Sequence, residues 1–193
     1  MTVLDLNAAT GWYTEILARV VGPTGRVIAH NHPGARTTLS AEAFEARYGG
    51  NRLANVEQIF VRHDDLRLPP GSVDAVLMSL VYHDTYWQRA DVDWGPIDRQ
   101  ALLECLFAAL KPGGIVGVID HFAAVDSDPF ESVQALHRID PAVVRRDFVA
   151  AGFEPDGASD VLRNTGDDYS RSVFDAAVVG RTDRFVLRFR KPR

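Results

Sequence analysis

The chain has 193 residues, of which 46% are hydrophobic and 24% charged, and its net charge is −5 at pH 7. Such a length and composition predict one globular domain, residues 1–193, with a sizeable core. The negative charge disfavours a nucleic-acid partner, because phosphate binding needs a concentrated basic surface. The single cysteine, Cys105, excludes an internal disulfide and a cysteine-based zinc site, and it is expected in the core.

The chain contains no apolar run of the roughly 18 residues that a membrane span requires. It also has no basic-then-apolar secretory signal at its start. We therefore expect a cytoplasmic protein with no membrane partner. The basic run Arg184 to Arg193 alternates with apolar residues, which predicts an edge strand with one solvated face.

The segment Thr2 to Gly11, TVLDLNAATG, is the most informative part of the sequence. A short apolar strand ends in an acid and enters a turn of small residues, and the amphipathic run Trp12 to Val21 follows at once. An open α/β domain builds a nucleotide site from such a strand, turn and helix, because the turn brings backbone N–H groups to a helix N-terminus. Small residues let a ligand approach those groups.

The elements that follow alternate between strands and helices, which predicts a parallel sheet with right-handed crossovers. The strands are nearly continuous apolar runs, as expected when both faces of the sheet are buried. The predicted strands are Arg26 to Ala29, Val56 to Val61, Val73 to Leu80 and Ile115 to Ile119. The predicted helices are Ser40 to Tyr48, Ile97 to Leu110 and Pro141 to Ala151, and further strands begin at Phe153 and span Phe185 to Phe189.

Three stretches, in this order, resemble the class I S-adenosylmethionine (SAM) methyltransferases. The first has the family spacing acid-x-Gly-x-Gly-x-Gly at Asp5 and Gly11, but Asn7 and Ala9 replace the first two glycines. The second, VRHDDLRLPPGSVDAV at 61–76, resembles the stretch between the third and fourth strands of the family. The third, LKPGGIVGVI at 110–119, resembles the junction of a helix with the fifth strand.

Shorter tracts resemble a narrower group, the bacterial proteins called predicted methyltransferases: YHD at 82–84, DH at 120–121, LHRID at 136–140 and TDRF at 182–185. The resemblance implies an α/β, Rossmann-like sheet, mostly parallel with an antiparallel C-terminal strand, helices on both faces and SAM as cofactor. The family also carries helices before its first strand. Because this chain starts at that strand, we expect an uncovered sheet and self-association into a homo-oligomer.

The resemblance implies a cofactor site along the first three strands. Asp5 would hold the turn or face the ligand amine, and Gly11 would allow close helix packing. Asn7 can take the left-handed conformation in place of glycine, whereas the methyl group of Ala9 is expected to narrow the pocket. The second strand ends in AHNHP at 29–33, so the usual ribose-binding acid is absent and Asn31 is its uncharged candidate.

In the same family an acid after the third strand meets the adenine. Asp64 aligns best with that acid, and Asp65 is the neighbour that could serve instead. The alternative for the whole region is a strand, turn and helix that no longer bind SAM.

Two His–Asp pairs follow the fourth and fifth strands: His83 with Asp84, and Asp120 with His121. With the strand order 3-2-1-4-5, these strand ends are adjacent on the side where ligands bind. Either histidine is expected to act as a general base, since imidazole titrates near neutral pH, and a carboxylate would orient its ring.

Other residues are expected around this pair. The following helix would contribute His137 and Arg138, and the paired acids Asp167 and Asp168 are expected to face solvent. Three aromatic residues would either cover an apolar substrate or pack the loop: Tyr86, Trp87 and Trp94.

A metal site is an alternative, because His83, Asp84, Asp120 and His121 are ligand types for zinc, iron or manganese. The sequence has no close His-x-x-x-His pair, so we favour the base and predict no metal ligand. The predicted function is methyl transfer to a small-molecule O, N or C nucleophile, mainly by positioning. The remaining alternatives are a non-catalytic binding or assembly protein and a metal-dependent enzyme, both on the same fold.

Overall fold

The structure is a computed structural model and describes residues 1–92 and 94–193. Within these ranges seven strands form one sheet in the order β3-β2-β1-β4-β5-β7-β6. The strands are β1 (Thr2–Leu6), β2 (Arg26–Asn31), β3 (Val56–Phe60), β4 (Val73–Ser79), β5 (Leu110–His121), β6 (Glu154–Ser159) and β7 (Arg184–Arg190). The helices are α1 (Trp12–Val21), α2 (Ala35–Thr38), α3 (Ala41–Tyr48), α4 (Arg99–Ala109), α5 (Pro129–Leu136) and α6 (Pro141–Ala150).

The first five strands are parallel, in the predicted order 3-2-1-4-5. Strand β7 is antiparallel to both β5 and β6, as expected for the C-terminal part of the sheet. Because the five parallel strands all end at one edge, the loops that follow β1, β2, β4 and β5 meet there. This edge is where open α/β sheets bind their ligands.

The prediction of an edge strand near the C-terminus is wrong, because β7 lies between β5 and β6. Its apolar side chains explain the position. Phe185, Leu187 and Phe189 are buried, and the ring of Phe189 stacks on Phe148 of α6 with centroids 4.2 Å apart. The intervening Arg188 is exposed, so the alternation separates a core face from a solvated face without requiring an edge.

Helix α4 begins later than predicted, because the side chain of Asp98 accepts a hydrogen bond from the backbone N–H of Ala101 at 3.0 Å and caps the helix. Its apolar face is buried as the spacing predicts, at Leu102, Leu103, Leu106 and Ala109. Cys105 is half-buried beside this core and donates its thiol to the carbonyl oxygen of Leu66.

The outer face of α1 carries an apolar stripe. Trp12, Ile16 and Val20 recur every four residues and are 65%, 43% and 74% exposed. Exposed apolar surface of this kind promotes association. None of the helices in residues 1–92 and 94–193 combines the length and apolarity that crossing a membrane requires.

The segment 160–183, between β6 and β7, consists of turns that are stabilised by ion pairs. Arg138 is fully buried and its guanidinium donates to both carboxylate oxygens of Asp167, at 2.8 and 3.1 Å. The expectation that Asp167 faces solvent is therefore wrong, while Asp168 is exposed as expected. Arg138 therefore stabilises this segment through its ion pair with Asp167. It does not join the His–Asp pairs, and its predicted role is wrong.

Candidate functional site

The turn after β1 keeps the backbone of a glycine-rich turn although two of its residues are not glycine. Asn7, Ala9 and Gly11 all have positive φ, at 53°, 49° and 83°. Asparagine tolerates this left-handed region, whereas alanine pays roughly 1–2 kcal/mol for it. The substitutions at Asn7 and Ala9 therefore leave the shape of the turn intact.

The turn is held by hydrogen bonds from β2. The side-chain oxygen of Asn31 accepts from the backbone N–H of Ala9 at 2.9 Å, and its amide donates to the carbonyl of Ala9 at 3.0 Å. The N–H groups of Ala8 and Gly11 donate to the carbonyls of His30 and Ala8. These N–H groups donate within the protein. A ligand would therefore contact the surface of the turn without accepting hydrogen bonds from them. A bond from Asn31 to a ribose stays a prediction.

Asp5 and Gly11 position helix α1 on the sheet. The buried carboxylate of Asp5 accepts a hydrogen bond from the hydroxyl of Thr14 at 2.6 Å. Burial raises the pKa of Asp5 to about 6, and the bonds from Thr14 oppose this shift. A side chain at Gly11 would collide with the hydroxyl of Tyr48 in α3. Asp5 thus holds the start of α1, and Gly11 permits the close helix packing that was expected.

A cleft of about 480 Å³ opens at the carboxyl edge of the sheet. Asn7 and Ala9 line one side of it and Asp84 lines another. Two of the predicted aromatic residues, Trp87 and Trp94, also line the cleft, together with Phe174 from the segment 160–183. The sequence did not indicate Phe174, because it lies in a polar stretch far from any recognised tract.

Tyr86, in contrast, does not cover the cleft. Its ring is buried, and its hydroxyl donates to the carboxylate of Asp147 in α6, as does the hydroxyl of Tyr82 at 2.8 Å. Tyr86 therefore belongs to the packing between the loop after β4 and α6.

Three histidines gather around Trp94, and we call His30, His32 and His63 the Trp94 cluster. The ring centroids of His32 and His63 lie 4.8 and 5.4 Å from that of Trp94. A nitrogen of His63 lies 2.9 Å from the amide nitrogen of Asn7, which connects the cluster to the turn. Burial lowers the pKa of His30 to about 4 and of His63 to about 3, so both are neutral at pH 7.

The predicted adenine-binding acids lie beside the Trp94 cluster. Asp64 and Asp65 are both exposed in a short 3-10 turn that starts with the buried His63. Asp64 is 3.4 Å from the guanidinium of Arg62 and borders a small pocket shared with His63 and Trp94. A contact of Asp64 or Asp65 with a ligand stays a prediction.

A second group, which we call the acidic cluster, contains His83, His121 and His137 with Asp84 and Asp120. Asp120, at the end of β5, is fully buried and accepts from the backbone N–H of His83 at 2.9 Å. Its other carboxylate oxygen is 2.7 Å from Nδ1 of His83. On the opposite side of the ring, Nε2 of His83 lies 3.3 Å from Asp84.

The rings of His83 and His121 have centroids 6.0 Å apart, so the structure brings the two predicted histidines together. Nδ1 of His121 lies 2.7 Å from the hydroxyl of Thr182, just before β7. His137 also belongs here, with its ring 5.4 Å from that of His83. It ends α5 in a left-handed conformation (φ 54°) instead of lying in the following helix as predicted.

The carboxylates decide which histidine holds a charge. Burial opposes the imidazolium of His83, but Asp120 and Asp84 outweigh it and raise its pKa to about 9. Burial also opposes the charge on Asp120, yet His83 keeps the pKa of this carboxyl below its usual range. For His121 and His137, burial lowers the pKa to about 4. At pH 7 His83 is charged and the other two are neutral, so neither predicted base, His83 or His121, titrates near neutral pH as expected.

Comparison with known proteins identifies the fold. No family model matches the chain. It is 26% identical over 171 residues to the ubiquinone/menaquinone biosynthesis C-methyltransferase UbiE of Pasteurella multocida, a match that covers 83% of this chain. The chain spans only 58% of that protein's length.

Two solved structures superpose on almost the whole chain. A SAM-dependent methyltransferase from Aquifex aeolicus has a TM-score of 0.65 and 19% identity, covering 98% of this chain and 81% of that one. The [4+2]-cyclase SpnF has a TM-score of 0.63 and 17% identity, covering 99% and 75%. These likenesses confirm the predicted class I methyltransferase fold. That a cyclase shares it means that the fold alone does not determine the reaction.

Proposed function

We propose that this protein, built on the class I methyltransferase fold, transfers a methyl group from SAM to a small-molecule acceptor. One observation carries the proposal: Asn7 and Ala9 of the turn line the same cleft as Asp84 of the acidic cluster. The cleft therefore joins the expected cofactor site to a group of titratable side chains. The 26% identity to a quinone C-methyltransferase supports the same reaction class.

The turn supplies the shape that SAM requires. The left-handed conformation that a glycine-rich turn would have recurs at every second residue, at Asn7, Ala9 and Gly11. This retained backbone weakens one of the arguments for the non-catalytic alternative, the two missing glycines; that alternative also rested on the absent acid after the second strand and on the start of the chain at the first strand. In the proposal the adenosine lies toward the Trp94 cluster, with Asp64 or Asp65 near the base and Asn31 near the ribose.

In the proposal, the acidic cluster positions the methyl acceptor and takes its proton. Methyl transfer from a sulfonium is an in-line displacement, so most of the catalysis comes from positioning the nucleophile. Of the two histidines predicted as base, His121 fits better because its pKa of about 4 leaves it neutral, whereas His83 is charged. The nucleophile's proton would pass to the imidazole of His121.

The aromatic wall of Trp87, Trp94 and Phe174 favours an apolar or aromatic acceptor, because flat apolar surfaces pack well against such rings. Association into a homo-oligomer also stays part of the proposal. The exposed stripe Trp12, Ile16 and Val20 on α1 supports it, and the mass measured by light scattering would test it.

Methyl-labelled SAM tests the reaction whatever the acceptor is. The protein is incubated with labelled SAM and, in parallel, the small-molecule or the macromolecular fraction of a bacterial extract, and the products are separated by size. We expect label in small, organic-soluble products and a large loss of turnover in His121→Asn, with folding unchanged. SAM binding without any transfer would support the non-catalytic alternative, and label on macromolecules would contradict the small-molecule acceptor.

A further inference from the structure

We propose that His83, Asp84 and His137 bind a first-row divalent transition-metal ion, such as Zn²⁺ or Fe²⁺, at the wall of the cleft. One ligand atom from each residue lies within 4.8 Å of the other two. The set of two imidazoles and one carboxylate suits zinc and non-haem iron. The sequence pointed to a different set of ligands, in which Asp120 and His121 took part.

The spacing of these atoms is close to that of a metal site. Nε2 of His83 is 3.3 Å from Oδ1 of Asp84, and Nδ1 of His137 is 3.9 Å from the same oxygen. With metal–ligand bonds of about 2.1 Å, neighbouring ligand atoms in a tetrahedral site lie about 3.4 Å apart. Side-chain rotations that move His137 by about 1 Å would therefore complete the site.

Asp120 lies where a carboxylate commonly supports a metal-binding histidine without touching the metal. It contacts Nδ1 of His83 at 2.7 Å and fixes the backbone of the same residue through its second oxygen. This contact leaves Nε2 directed toward Asp84 as the ligand atom. A histidine that binds a metal commonly donates its other ring N–H to a carboxylate in this way, which fixes the ring's orientation. Asp120 is thus a positioning residue.

The ring of His137 is held in place by its neighbours. It is packed by Trp87 and Phe174, with centroids 5.3 and 4.8 Å away. His137 ends α5 in the left-handed conformation, with φ 54°, which histidine adopts more readily than most residues. These contacts and this backbone hold the ring beside Asp84.

The proposed ion would remain accessible from the cleft. Asp84 lines the cleft, so coordination positions that the three side chains do not fill would face it. Three protein ligands with an open position are typical of catalytic metal sites, whereas structural sites are closed. The site should therefore accept a small chelator with oxygen donors.

Titration of the chelator-treated protein with Co²⁺ tests the site, because d–d absorption reports both stoichiometry and geometry. We expect one equivalent to bind with the intense visible bands of a low-coordinate site. His137→Gln and Asp84→Asn should weaken binding at least about 100-fold, and Asp120→Asn about 10–100-fold. His121→Gln is the matched control and should bind as the unchanged protein does, since this ring contacts Thr182.

Circular dichroism and thermal melts of each variant verify that it is folded. Co²⁺ binding of equal affinity in folded His137→Gln and in the unchanged protein would overturn the proposal, as would the absence of saturable binding. Addition of acetohydroxamate should shift the cobalt bands, and an unchanged spectrum would contradict the open site. SAM binding is measured separately in metal-free protein, so failure of the metal site leaves the methyltransferase proposal standing.

Discussion

The two groups of three histidines, which together contain all six in the chain, lie at the same edge of the sheet, but one residue of the acidic cluster, His83, differs from the others in charge. In the Trp94 cluster, His30 and His63 are buried among rings, backbone and an amide, and burial lowers the pKa of each to about 4 and about 3. In the acidic cluster, carboxylates overcome burial and raise the pKa of His83 to about 9. A buried histidine therefore holds a charge here only where a carboxylate contacts its ring directly, as Asp120 contacts His83 at 2.7 Å.

The largest effect is expected from Asp120→Ala. This change removes the fully buried partner of His83 and leaves an uncompensated buried charge, which costs about 3–5 kcal/mol. Urea denaturation at pH 7 measures the free energy of unfolding. The matched variant Asp84→Ala should lose much less, because the side chain of Asp84 keeps 23% of its surface exposed. Equal losses in the two variants would contradict the dominant role of Asp120.

One histidine from each cluster, His83 and His63, should also give opposite dependence of stability on pH. The pKa of His83 rises on folding, so its contribution is complete below about pH 6.5 and is lost as pH rises through about 9. The pKa of His63 falls to about 3 on folding, so the unfolded chain takes up the proton first and stability declines below about pH 6.5.

Difference curves between variants and the unchanged protein isolate these contributions. Subtracting the His83→Gln curve should reveal a loss of about 3 kcal/mol between pH 6.5 and 9, and subtracting that of His63→Gln a similar loss between pH 6.5 and 4. The measurement is the free energy of unfolding at each pH. A His83 difference curve that stays flat up to pH 10 would show that this residue does not hold the charge.

A smaller effect should appear only on the cofactor side of the cleft. Ala9 has φ 49° and lines the cleft, so Ala9→Gly relieves backbone strain and removes a methyl group from the ligand's path. We expect SAM to bind roughly fivefold more tightly, which corresponds to about 1 kcal/mol. Ala8→Gly is the matched control in the same turn. The dissociation constants are measured by calorimetry. Equal values for Ala9→Gly and the unchanged protein would show that the methyl group of Ala9 does not crowd the ligand.

The smallest effect is expected from Asp64→Ala. A hydrogen bond from adenine to this carboxylate would contribute about 1–3 kcal/mol to SAM binding, and the exposure of Asp64 places it near the lower limit. Asp65→Ala distinguishes the two neighbouring acids, and the dissociation constant of SAM is measured for both. If neither change weakens binding, the adenine does not lie against this turn.

The resemblance of the sequence to the class I methyltransferases was sufficient for the order of the five parallel strands, and so for placing His83, Asp84, Asp120 and His121 at one edge. It also indicated that His137 joins them, but it did not predict helix α5, whose left-handed end positions this residue. The Trp94 cluster was missed for a similar reason. Its histidines come from the end of β2, the loop after it and the turn after β3, and only tertiary packing brings their rings together.

The segment 160–183 shows the same limit. Polar composition suggested a solvated link, yet Asp167 pairs with the buried Arg138, and Phe174 reaches the cleft. A pair of charges separated by 29 positions leaves no periodic signal in the sequence. Long-range ion pairs of this kind are specified by the complete fold rather than by local pattern.

Binding of SAM at the turn is the central claim, and calorimetric titration of the folded protein with SAM and S-adenosylhomocysteine tests it most directly. We expect one site per chain for both ligands, with tighter binding in Ala9→Gly and unchanged binding in Ala8→Gly. The acidic-cluster variant His121→Asn should bind as the unchanged protein does. Absence of heat at millimolar concentrations of both ligands, in a protein that unfolds cooperatively, would contradict the cofactor site and with it the proposed methyl transfer.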